Sequence, residues 1–156
     1  MKFYILAVGN KMPNWINTAF SEYEKRLFQE TRIHLLEIKP EKRIGSKNKE
    51  QILLAESQRI KEALPSGCRH IVLDEHGKHW TTAELANNIR KWMQEGGDVA
   101  FIIGGADGLH GEIKTSTKDI FSLSRLTFPH ALVRVLLIEQ LYRAVSLIKN
   151  HPYHRI

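Results

Sequence analysis

The chain ends in NHPYHRI, residues Asn150 to Ile156, directly after its longest apolar helical pattern. Chain ends are ordinarily small or charged filler that frays. This one gathers His151, Tyr153, His154 and Arg155 around Pro152. A second concentration is FIIGGADGLHGEI, in which Gly104, Gly105, Gly108 and Gly111 follow an apolar run. Glycines so closely spaced serve tight turns or bring backbone against a ligand. The dinucleotide fingerprint should follow the first strand, yet AVGNKMPNW offers only Gly9, and no GxxxxGKS or GxxxxGKT loop occurs, which disfavours ordinary dinucleotide and nucleoside-triphosphate sites. The pairs His76/His79 in HGKH and His151/His154 in HPYH have a spacing that zinc could use. Cys68 and His70 make no convincing second half, and Pro152 breaks the helix that would align the last pair, so no metal site is expected. Cys68 stands alone in the turn PSGCRH, which argues against a thiol nucleophile and leaves no intrachain disulfide.

The elements that must position these residues follow from periodicity. A chain of 156 residues, 42% hydrophobic and 26% charged, fits one domain with a real core. No run approaches a membrane span, and FYILAV is too short for a signal-peptide core, so the protein reads as soluble and cytoplasmic. Strand-like runs are Phe3 to Gly9, Arg32 to Ile38, His70 to Asp74, Val99 to Gly105 and Phe121 to Phe128. Helical patterns separate them. Pro13 opens the first, with Trp15, Ile16, Ala19, Phe20, Tyr23 and Leu27 on one broad face. The second runs from about Lys47 to Leu64, and the third starts at TTAE, where Thr81 and Glu84 have capping-box spacing. Alternating strands and helices predict an α/β fold with a mostly parallel sheet, its glycine loop at a carboxyl edge where open sheets bind ligands.

The last helix, roughly Ala131 to Asn150, has almost no polar face. One sheet covers only one side of such a helix, so a homodimer is expected to bury another, with Leu137 and Ile148 among the interface positions. The formal charge of +6 makes a polyanion a plausible partner; from Arg125 onward five basic residues oppose the single acid Glu139. A second basic stretch is KPEKRIGSKNK, Lys39 to Lys49.

The motifs in their order carry a resemblance. LD closing the third strand, FIIGGADGL closing the fourth, SLSRLTFPHALVRVLLIEQLYRA leading into the last helix, the terminal NHPYHR and the opening AVGNKMPNWI together closely resemble the ribosomal large subunit methyltransferase H family of the SPOUT superfamily, over all 156 residues. The resemblance implies a single-domain parallel SPOUT sheet with a C-terminal trefoil knot, a rare exception to the rule against knots. It also implies a homodimer, S-adenosylmethionine as methyl donor, and methylation of N3 of a pseudouridine in 23S rRNA on the assembled ribosome. Neither DNA nor a membrane is expected as a partner. A noncatalytic ribosome- or RNA-binding protein of the same fold is the alternative, and it would ignore S-adenosylmethionine.

Carried over by the resemblance, the cofactor site comprises Leu73, Gly105 and the segment Ser124, Arg125, Leu126, Thr127, Phe128 and Pro129. Leu73, Leu126 and Phe128 would offer adenine an apolar slot, and Gly105 would leave room for the cofactor, so that Gly105→Leu should block binding in a folded protein. A uracil-type N3 carries a proton, which a group must accept while another stabilises the anion. The candidates are His130, Arg143, Tyr153 and His154, with Arg143, Tyr153 and His154 the assigned catalytic set. Pro152 should end the helix and turn the arm aside, so that Tyr153 stacks on an unpaired base, Arg155 meets phosphate and His154 reaches the ring.

Overall fold

The computed structural model describes residues 1–155. Five parallel strands form one sheet in the order β2-β1-β4-β3-β5. In chain order the elements are β1 (Lys2–Val8), α1 (Asn14–Leu27), β2 (Arg32–Ile38), α2 (Lys49–Ala63), β3 (Arg69–His79), α3 (Thr82–Glu95), β4 (Val99–Ile103), α4 (Gly111–Lys114), β5 (Ile120–Ser122) and α5 (His130–Ile148). The period-two alternation of the strands makes two cores. Phe3, Ile5, Ile71, Phe101 and Ile103 face α1, α3 and α5, whereas Leu6, Val8, Val72 and Ile102 face α2 and α4. Each helix therefore covers a face that a strand-only chain would leave wet.

Local chemistry sets the boundaries. Pro13 precedes α1 as expected, but Trp15 is 61% exposed rather than part of the buried face, which Ile16, Phe20 and Leu27 supply. The Thr81/Glu84 capping box is present, and α2 has one as well, between Asn48 and Gln51. β3 runs on past Asp74 to His79: after Leu73 pairs with Phe121 the chain bulges, and Lys78 returns to the same Phe121. A Cβ on Gly77 would lie 2.7 Å from the Ile120 carbonyl, so only glycine lets β5 approach there.

α5 lies between α1 and α3, which account for much of its apolar circumference within one chain. Leu137 is fully buried in this protomer's own core, so it is not an interface position as the sequence suggested; Ile148 packs half-buried against the same core. The row opposite, Leu132, Leu136, Glu139 and Arg143, is half-buried. The helix stops at Ile148, before Pro152 can act. Asn150 adopts φ 57°, the His151 amide donates to the Ser146 carbonyl at 2.8 Å and the Asn150 amide to Leu147 at 3.3 Å, a Schellman cap built on asparagine.

Candidate active site

Three chain segments meet outside the carboxyl ends of β3, β4 and β5 and enclose a cavity of about 500 Å³, within the roughly 300–1,000 Å³ of small-molecule sites. From β3 come Leu73, Asp74, Glu75 and His76; from the turn after β4 come Gly104 to Gly108; from the chain after β5 come Leu123, Ser124, Leu126, Thr127 and Phe128. The turn after β4 is closed by its glycines. The Gly108 amide donates to the Gly105 carbonyl at 3.1 Å, and a Cβ on Gly104 would sit 2.5 Å from the Gly108 oxygen.

Side chains tie the three walls together. Thr127 Oγ1 donates to Glu75 at 3.2 Å, Lys114 lies 3.3 Å from Asp74, and Arg43 of the basic β2–α2 loop pairs with Asp107 at 2.5 Å. The Ser122 hydroxyl donates to the Ser124 carbonyl at 2.8 Å, while the Leu126 amide donates to Ser124 Oγ at 3.0 Å. That bend turns Leu126 outward, 70% exposed at the cavity rim. Of the eight cofactor residues expected from sequence, Leu73, Gly105, Ser124, Leu126, Thr127 and Phe128 line the cavity; Arg125 and Pro129 do not, Arg125 being exposed and Pro129 standing just before α5. Gly105 lines the cavity with its backbone, but a Cβ there would press 3.1 Å from Val8 Cγ1. A leucine at this position would therefore strain the core as well as the cavity, which corrects the sequence expectation.

His130, the first residue of α5, lines the cavity. Burial, and then the Arg134 guanidinium, push its imidazole below the ordinary value. Arg134 itself is 1% exposed, donating from Nη1 to Glu37 at 2.7 Å and from Nη2 to the Gly9 carbonyl at 2.8 Å, with Nε buried and unpartnered. It joins the ends of β1 and β2 to the start of α5. Sequence reading counted Arg134 only as charge; its one signal was a lone cation within an apolar helical row.

The catalytic set expected from sequence forms a second cluster elsewhere. Arg143 donates to Glu139 from Nε at 2.9 Å and Nη2 at 2.5 Å, its guanidinium lies 4.9 Å from the Tyr153 ring centroid, and Nη1 is 3.4 Å from His154 Nδ1. The Tyr153 hydroxyl donates to Glu139 at 3.2 Å and its ring meets Tyr142 at 4.5 Å. Burial first, then hydrogen bonding and nearby negative charge, push Tyr153 up to about 12, so near neutrality it is a donor rather than a base. The tail thus folds back on α5; Arg155 is exposed, and Ile156 lies outside the described residues. None of Arg143, Tyr153 and His154 lines the cavity. His130 and Arg143 stand thirteen residues apart on one helix, about 20 Å at 1.5 Å per residue.

Other candidates stay apart. Cys68 is pushed up by burial, and among the described residues no group of three or more His, Cys, Asp or Glu is placed to hold a metal ion.

A family model described as "Predicted SPOUT methyltransferase" matches residues 1–154. The ribosomal RNA large subunit methyltransferase H of Nitrosospira multiformis is 58% identical over 155 residues, covering 99% of each chain. That of Ralstonia pickettii is 56% identical over 156 residues and covers both chains fully. Among solved structures, a methylase family protein from Haemophilus influenzae superposes with a TM-score of 0.58 at 13% identity, over 99% of this chain and 70% of that one. A Legionella pneumophila methyltransferase solved with the bound cofactor SAM gives 0.52 at 12% identity, over 92% and 66%. At such identities the structural likeness shows the fold alone.

Proposed function

The chain belongs to the SPOUT methyltransferase family, and on that premise we propose that it methylates N3 of a pseudouridine in 23S rRNA on the assembled ribosome, using S-adenosylmethionine. The observation that carries this reading is the match along the chain: 58% identity over 155 residues, 99% of each chain, to a ribosomal RNA large subunit methyltransferase H.

The cavity suits the cofactor. Leu73, Leu126 and Phe128 offer an apolar wall for a purine, and the glycine turn presents backbone groups. Carboxylates (Asp74, Glu75, Asp107) and ammonium groups (Lys49, Lys114) both line the cavity, as suits a ligand bearing an ammonium, a carboxylate, a sulfonium and ribose hydroxyls. When bound, S-adenosylmethionine supplies a methyl group already activated by the positive sulfur. What remains for the chain is to orient the base, exclude water and remove the N3 proton. His130, neutral at physiological pH because burial and Arg134 disfavour its charged form, accepts that proton at a ring nitrogen. Arg143, held beside His154 and against the Tyr153 ring, stabilises the oxygen charge left on the ring.

One protomer cannot bring these groups together across about 20 Å. A homodimer resolves this if its two α5 helices run antiparallel, because the twofold then sets the tail of one copy against the cavity of the other. The half-buried row Leu132, Leu136, Glu139 and Arg143 supplies the surface. The same reading extends to a trefoil knot in the C-terminal part and to work in the cytoplasm.

The test is to incubate the protein and labelled S-adenosylmethionine with free 23S rRNA, separate subunits and intact ribosomes, then map the product. Label at N3 of one pseudouridine of intact ribosomes is expected. Label on free rRNA alone, or none, would overturn the proposal.

A further inference from the structure

Beside the tail cluster, on the flank where α1 meets α5, lies a second cavity of about 200 Å³. Its wall is Lys25, Arg26 and Gln29 from the end of α1 and Tyr142, Lys149 and His151 from the end of α5. Among the described residues Glu30 is the one acid lining it. Arg26 already pairs with Glu22 at 3.1 Å, whereas Lys25 and Lys149 make no ion pair among the described residues and are exposed. Cations at helix ends can merely complement the helix dipole. That accounts for Lys25 in the last turn of α1 and for Lys149 at the C-cap of α5 taken singly, but not for their meeting on one concavity.

The cavity is continuous with the tail. Tyr142 forms part of its wall and also meets Tyr153 at 4.5 Å, and the Arg26 guanidinium lies 5.8 Å from the Tyr142 ring centroid. A polyanion whose base reached Tyr153 would therefore run its backbone past Lys25 and Lys149. We propose that this α1–α5 groove is a phosphate-binding subsite for the rRNA strand, seating the backbone near the target nucleotide through Lys25, Lys149 and Arg26. The proposal rests on the methyltransferase reading above and names where its RNA substrate is held. Sequence-independent contacts of this kind fix register and orientation without reading bases.

The experiment compares wild-type protein with Lys25→Glu/Lys149→Glu and with the milder Lys149→Gln, using intact ribosomes at several salt concentrations. In the double variant KM for ribosomes should rise at least about tenfold, and the dependence of log KM on log salt should flatten by about one unit per lost phosphate contact. Lys149→Gln should show a smaller change of the same sign. Affinity for S-adenosylmethionine should stay as in wild type, because the groove and the cavity at the carboxyl edge share no lining residue. If the variants keep the wild-type KM and salt slope while the wild type methylates ribosomes, the groove is a helix-end charge cluster and the inference falls alone. If the wild type methylates no RNA, the parent reading falls and takes this one with it.

Discussion

Two histidines of this chain, His70 and His130, are held below the ordinary imidazole value by burial, yet only His130 lines the cavity. The shift gains chemical meaning from position. A base must be unprotonated to act, so activity is lost as pH falls through its pKa. Because the His130 value is depressed, that loss should come below the usual imidazole range of about 6.5, and kcat should be flat through neutrality. His130→Asn should lower kcat by roughly 10²–10⁴ and remove this acid limb, while calorimetric affinity for S-adenosylmethionine changes little. A retained limb in the variant would assign the proton to another group. Sequence alone named His130 as a candidate but assigned the catalytic role to Arg143, Tyr153 and His154, because nothing in residue type tells which of them shares a cavity. Nor could residue type tell that Arg143, Tyr153 and His154 gather at the end of α5 opposite the cavity.

At the scale of elements, the strands and main helices were legible because each strand alternates between two cores and each helix carries one buried face. What escaped was set by tertiary contact. The strand pattern stops at Asp74, but the chain rejoins β5 beyond it, and Gly77 is the residue that permits this. Asn150 likewise gave no sign that it, rather than Pro152, would stop α5. The Gly77 site makes a sharp test. Its added Cβ would meet Ile120 backbone atoms that cannot swing aside, so Gly77→Val should destabilise by about 1–3 kcal/mol, a fall of roughly 2–4 °C in Tm per kcal/mol. It should also weaken cofactor affinity, since Asp74, Glu75 and His76 of that excursion line the cavity. Gly111→Ala is the control: nothing lies within 4 Å of its added Cβ, and its Tm should match wild type. Equal melting of the two variants would mean that β5 yields easily.

At the scale of the whole molecule, the decisive feature is the distance between the two halves of the chemistry. The sequence pointed to a dimer because α5 is apolar all round, but α1 and α3 satisfy most of that surface, and Leu137 belongs to the monomer's core. The stronger reason is that the cavity and the tail stand at opposite ends of one helix. Complementation separates a site shared between copies from a site within one. Ala106→Trp should fill the cavity, whose exposed wall Ala106 forms, and Arg143→Ala should disable the tail cluster. Each variant alone should be inactive on ribosomes. After unfolding and refolding together, half the dimers carry one of each chain. In a shared site, every such dimer unites the intact cavity of one protomer with the intact tail of the other, and about a quarter of the wild-type activity returns. In a site confined to one chain, every cavity still faces its own defect, and the mixture stays inactive. An inactive mixture that light scattering shows to be dimeric would refute the antiparallel arrangement.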